Sequence, residues 1–131
     1  MKKIINRQLF LVIGLWCSFS LIGMAASSKE LALEKEVTML LHEIEHSGCT
    51  FIRNEEPHDG KEAAEHLNNK YQYGLGRIKT AEQFIEHIAS KSYFSEKPYQ
   101  VACPDKATMT SNQWLTQELM QYRQKMDKLK P

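Results

Sequence analysis

Cysteine usage, read together with the first 25 residues, constrains this chain more than any other feature. Met1-Lys2-Lys3 with Arg7 makes a basic start, and Leu9 to Met24 is an apolar run interrupted by two serines. Gly23-Met24-Ala25 then places small residues at the −3 and −1 positions of a cleavage site. This is the pattern of a secretory signal peptide cut near Ala25. The run is shorter than the roughly 20 apolar residues of a membrane span. An uncleaved anchor is the alternative; a lipidated Cys17 is not favoured, because bulky Trp16 precedes it. The expected organisation is a signal peptide over residues 1–25 and a single small globular domain over 26–131. Its address is the periplasm of a Gram-negative bacterium, with no stable membrane insertion after cleavage.

Cys17 leaves with the leader, so Cys49 and Cys103 remain as an even pair in an exported chain, most simply a disulfide. Two buried free thiols are the alternative. No Cys-x-x-Cys is present, which argues against a redox catalyst. A loop of about 54 residues closed this way would stabilise the fold by about 4 kcal/mol through the unfolded chain. Such a contribution matters for a domain of about 106 residues, which can bury one small core. Removing Lys2, Lys3 and Arg7 from 17 basic residues leaves 14 against 16 acidic ones, a net charge of −2. No basic face remains to indicate nucleic acid.

Caps and apolar periodicity give four helices. The first is expected to start at the Ser27-Ser28-Lys29-Glu30 capping box, to bury Leu33, Val37, Leu40, Leu41 and Ile44, and to stop at Ser47-Gly48. The second starts at Asp59-Gly60 with Ala63, Ala64, Leu67 and Tyr71 on one face, and breaks at Gly74-Leu75-Gly76. The third starts at Thr80-Ala81-Glu82-Gln83 with Phe84, Ile85 and Ile88 inward. The fourth starts near Thr110 or Ser111, lined by Leu115, Leu119, Tyr122, Met126 and Leu129. Two strands lie between them, Cys49–Arg53 and Tyr99–Cys103. Paired antiparallel with Cys49 opposite Cys103, they set Phe51 against Val101 and Arg53 against Tyr99. A two-stranded ribbon is not stable alone and needs helices packed on it. The expected fold is α+β and mainly helical, with about four helices and a short, disulfide-linked, two-stranded antiparallel ribbon.

His42-Glu43-Ile44-Glu45-His46 matches H-E-x-x-H, in which two imidazoles one helical turn apart bind zinc and the Glu activates a water. The apolar stripe centres on Ile44 and Val37, so His42 and His46 fall on the opposite, solvent side. The helix stops at once, and nothing singles out a third ligand among His58, Glu62 and His66. A polar helix face is therefore the favoured reading, and neither a catalytic residue nor a cofactor is assigned. Arg53-Asn54 leaves the first strand into a polar stretch that suits a turn or a binding edge. Lys70 falls inside the apolar arc of the second helix, where it either snorkels out, pairs with an acid or has a functional role.

Several stretches, in order, resemble the YfeK-like family of small bacterial periplasmic proteins of unknown function. Ser47-Gly48-Cys49-Thr50-Phe51-Ile52-Arg53-Asn54 is similar to its S-x-C-x-F-x-R-N-G, and Ala63-Ala64-Glu65-His66-Leu67 with Lys70 to its A-x-x-H-L-x-x-K. Thr80–Ile85, Ile88-Ala89-Ser90, Ser95–Val101 and Trp114-Leu115 resemble later segments. The family has glycine where this chain has Glu55 and Glu96, so those two turns are expected to differ in shape. The resemblance implies a periplasmic address and no activity, substrate or cofactor. The functional expectation is a non-enzymatic binding module for an envelope protein or small ligand, through Arg53, Asn54, His66, Lys70, Lys97 and Tyr99. A zinc hydrolase using His42, Glu43 and His46, or an inhibitor or immunity-type protein of an envelope hydrolase, are the alternatives.

Overall fold

The computed structural model describes residues 22–131, so the expected leader up to residue 21 lies outside the described residues. Helix α1 (Ile22–His46) does not begin at the Ser27 capping box. Met24, Ala25 and Ala26 are good helix formers, and the helix runs straight through the box. Its far end is as expected. Ser47 Oγ donates to the Ile44 carbonyl at 3.2 Å, and Gly48 turns the chain out at φ +70°. Leu33, Val37, Leu40 and Ile44 are buried, with Leu41 packed half-exposed beside them.

The ribbon is the centre of a larger sheet. Strands β1 (Thr50–Arg53), β2 (Glu56–His58), β3 (Gln100–Ala102) and β4 (Met109–Thr110) lie in the order β2-β1-β3-β4, every pair antiparallel. The added strands are three and two residues long, too short to show alternation. Pro57 fits β2 because that strand is an edge. The expected register holds, with Phe51 opposite Val101. One step further sets Arg53 against Tyr99. In the other direction Cys49 meets Cys103 as a disulfide with Cα atoms 4.2 Å apart, near the spacing of a non-hydrogen-bonded antiparallel pair. The fold class is therefore α+β and mainly helical, with four strands rather than two.

The β1–β2 connection is a two-residue turn with Asn54 at φ +51° and Glu55 at φ +72°. Both central residues at positive φ is the type I′ geometry that Asn-Gly serves best. Glu96, at φ +53°, is also left-handed. Both turns thus use a backbone that glycine favours. The tips hold each other: Ser95 Oγ donates to Asn54 Oδ1 at 2.6 Å, and Lys97 Nζ to Glu55 Oε1 at 3.0 Å.

The remaining helices cover the sheet and one another. Asp59 caps α2 (Gly60–Tyr73) through the Glu62 amide at 2.9 Å. Gly60 is required there, because a Cβ would collide with the Ile44 and Glu45 carbonyls of α1. Thr80 caps α3 (Ala81–Gln83), which widens directly into a π-helical turn, Phe84–Ile88. Gln83 reaches the Lys79 amide at 2.8 Å, one residue before the N-cap that its box would serve. Thr110 and Gln113 form the capping box of α4 (Ser111–Lys128). Trp114 lies edge-on to Phe51 with centroids 5.6 Å apart, and Leu115 and Leu119 are buried. Met126 and Leu129 are exposed, contrary to expectation, because the end of α4 runs past the core. Arg123 ties α4 to α1 by a two-pronged bond to Glu36 at 2.7 and 2.8 Å, and to α3 through Glu82.

Glycine relieves the left-handed strain at position 96, and the Glu96 carboxylate makes only an exposed 3.6 Å pair with Lys91. Glu96→Gly is expected to raise stability by about 1 kcal/mol after the entropy of the freer unfolded chain is deducted. Urea unfolding curves at pH 7 measure it, and an unchanged or lower midpoint would refute the strain.

Candidate functional site

Helix α2 and strand β1 form the two walls of a cleft of about 380 Å³. Side chains four apart lie on one helix face, so Glu62, His66 and Lys70 form a row along α2. Side chains two apart share one face of a strand, so Arg53 follows Phe51 on the side of β1 turned toward α2. Phe51, Ala63 and Leu67 supply apolar lining, and Arg53, His58, Glu62, Glu65, His66, Asn69, Tyr99 and Ser111 the polar one.

The polar groups form one connected chain. Arg53 Nη1 donates to His66 Nδ1 at 2.8 Å. Nδ1 therefore carries a lone pair, and the proton of the neutral ring sits on Nε2, 3.4 Å from the Tyr99 hydroxyl. Lys70 Nζ donates to the Ile88 carbonyl at 2.6 Å, the Lys91 carbonyl at 3.3 Å and the Tyr99 hydroxyl at 3.5 Å. It also lies 5.2 Å from the Tyr99 ring centroid. The Tyr99 oxygen thus accepts from both sides, and its own proton has no partner among the described residues.

Charge in this group is uncompensated. Among the described residues no carboxylate lies within 4.0 Å of Arg53 or Lys70. Burial, reinforced by Arg53, Lys70 and His58, pulls the His66 imidazole down to about 4. Burial, with Arg53, also lowers the Lys70 ammonium, and burial raises the Tyr99 phenol while Arg53 opposes it. Tyr99 therefore keeps its proton at neutral pH.

Of the six residues singled out in the sequence, the fold brings together Arg53, His66, Lys70 and Tyr99. Lys70 stands behind Tyr99, where it satisfies two carbonyls rather than lining the cleft. Asn54 and Lys97 lie outside, holding the two turns together. His58 lies opposite Phe51 in the β1–β2 register, with Nδ1 3.3 Å from Glu62 Oε2 and its buried Nε2 unpartnered. His58, Glu62, Glu65, Asn69 and Ser111 were not tied to this site by the sequence. The four-residue spacing from His66 marks Glu62, but only β2, itself invisible in the pattern, places His58. His42 and His46 are exposed and stacked, with centroids 4.2 Å apart and His46 Nδ1 2.9 Å from the His42 carbonyl. Among the described residues no group of three or more His, Cys, Asp or Glu side chains is arranged to hold a metal ion.

A family of unknown function, DUF5329, matches residues 31–123, well over half of the chain. The uncharacterized protein YfeK of Salmonella typhimurium is 48% identical over 50 residues, which cover 38% of this chain and 42% of that protein. The matched stretch thus spans less than half of that relative. The YfeK-like resemblance read from the motifs is shown by these two matches. No solved structure matches.

His66 titrates near 6.5 when unfolded and near 4 in the fold. Between these values the unfolded chain binds the extra proton, so stability rises with pH and is lost as pH falls from 6.5 toward 4. The ring protons are expected to titrate with a midpoint near 4 by NMR, and His66→Gln should flatten the stability profile across that window. A midpoint near 6.5 would refute the neutral, Arg53-bound ring.

Proposed function

This chain belongs to DUF5329, a family of unknown function, and we propose that it is an exported, non-enzymatic binding protein whose cleft between α2 and β1 takes an anionic group of a small ligand. The observation that carries the reading is the Arg53 guanidinium at the cleft floor, with the Lys70 ammonium behind it. Arg53 spends one N–H on His66 and has no carboxylate partner among the described residues, and Lys70 stands behind Tyr99 in the same condition. Half-buried charge without a counter-charge is costly, and a bound anion offsets that cost. The Tyr99 hydroxyl, accepting twice, adds an O–H donor beside the guanidinium.

Binding is favoured over catalysis because the ionisable groups of the floor are committed to each other. His66 has Nδ1 occupied by Arg53 and a proton on Nε2, so it does not serve as a base at neutral pH. A concave site of about 380 Å³ suits a small molecule or a chain end rather than a flat protein surface. The periplasmic address is supported by the basic, apolar and small-residue pattern of the first 25 residues, and by the Cys49–Cys103 disulfide, which oxidising compartments permit. Among the described residues no helix is long and apolar enough to cross a membrane.

Two measurements test this. Cell fractionation is expected to place the chain in the periplasm, starting near Ala26 by mass spectrometry; recovery of the intact chain in the cytoplasm would reject export. Titration of the labelled protein with acetate and inorganic phosphate is expected to shift the Arg53 and Tyr99 signals saturably. Arg53→Gln is expected to weaken the response about tenfold or more, as for loss of a charge-assisted hydrogen bond. Unshifted signals with both anions, or an unchanged response in the folded variant, would reject the cleft as an anion site.

A further inference from the structure

Resting on that anion-binding reading, we infer that the ligand is a short peptide with free ends, its carboxylate held by Arg53 and Tyr99 and its ammonium by Glu62 and Glu65. The cleft carries both signs of charge. One wall is the α2 face that carries Glu62, Glu65, His66 and Asn69. Glu62 stands one turn before His66, where the Arg53–His66–Tyr99 group gathers, and Glu65 is the residue next to His66.

The acids are available for a cation. Glu62 uses Oε2 on His58, and among the described residues Glu65 has neither an ion-pair nor a hydrogen-bond partner in its side chain. They also select against the commonest alternative anion. A phosphate dianion would bring two charges beside two rim carboxylates, whereas a peptide carboxylate brings one and carries its own positive end. A planar carboxylate fits a guanidinium with a hydroxyl donor beside it.

Length follows from the helix. Each residue rises about 1.5 Å, so Glu62 stands about 6 Å along the axis from the level of His66, which Arg53 grips. A peptide of two or three residues, at about 3.3–3.6 Å per residue, spans about 7–10 Å and bridges that rise. The charges of a single amino acid are only about 3 Å apart, short of the rise from Glu62. Phe51, Ala63 and Leu67 give the middle of the chain an apolar bed.

The test is calorimetric and NMR titration of the oxidised protein with triglycine, N-acetyl-triglycine, triglycinamide and inorganic phosphate. Triglycine is expected to bind with the highest affinity. Acetylation should weaken it about threefold, as for a rim ion pair, and amidation about tenfold or more. Glu65→Gln should bring triglycine down to the level of its acetylated form while leaving the acetylated form unchanged. Tyr99→Phe, which removes only the hydroxyl, should weaken both, and thermal melting confirms that each variant is folded. Triglycinamide matching triglycine, or phosphate binding more tightly than triglycine, would overturn the peptide assignment and leave an anion site standing. Failure of all four probes to bind would overturn both readings.

Discussion

The pairing of β1 with β3, pinned by the Cys49–Cys103 bond, is the constraint on which the rest of the molecule depends. A strand register admits no intermediate positions: a slip of one residue turns every side chain to the other face. With the cysteines joined, Phe51 and Val101 are committed to the core, and Arg53 and Tyr99 must then meet one step beyond. The covalent link contributes about 4 kcal/mol in the chain-entropy model. Its larger role is to remove the neighbouring registers of two strands too short to reject them by hydrogen bonding alone.

On that frame, α2 lays an apolar face and a polar row side by side. Ala64, Leu67 and Tyr71 join the core, while Glu62, His66 and Lys70 run next to them along the sheet. A polar row in such a place is tolerated because it is connected: guanidinium to imidazole, imidazole to phenol, ammonium to phenol and to two carbonyls. The cost that remains is electrostatic, since among the described residues no carboxylate lies within 4.0 Å of Arg53 or Lys70. Burial first, and the neighbouring cations second, depress the His66 imidazole.

Much of this architecture was legible in the residues. Asp59, Thr80 and Thr110 cap the helices they head, because a side-chain oxygen at an N-cap works locally and does not depend on the fold. The β1–β3 register was legible because two cysteines and two apolar residues fell into step. Other features were not. β2 and β4 are too short for alternation, and Glu55 stands where glycine would have announced the hairpin. The start of α1 was misplaced because a capping box inside good helix formers is simply helical. The burial of α4 was overestimated because periodicity continues after the core has ended. Within the cleft, Arg53, His66, Lys70 and Tyr99 stood out singly, but their hydrogen-bonded order is a property of two elements meeting.

The disulfide also divides the chain by topology. Arg53, His66, Lys70 and Tyr99 all lie within the covalent ring closed between Cys49 and Cys103, whereas α1 and α4 lie outside it as two arms. The arms pack on the ring and on each other, clasped by Arg123 across Glu36 and Glu82. Fraying that begins at either arm's free end must first undo that clasp and strip an arm from the core before it reaches the ring. Opening events that start at the arms' outer turns thereby reach the ring only after the clasp has given way. The side chains at the cleft floor are thus insulated from fraying that begins outside the covalent ring.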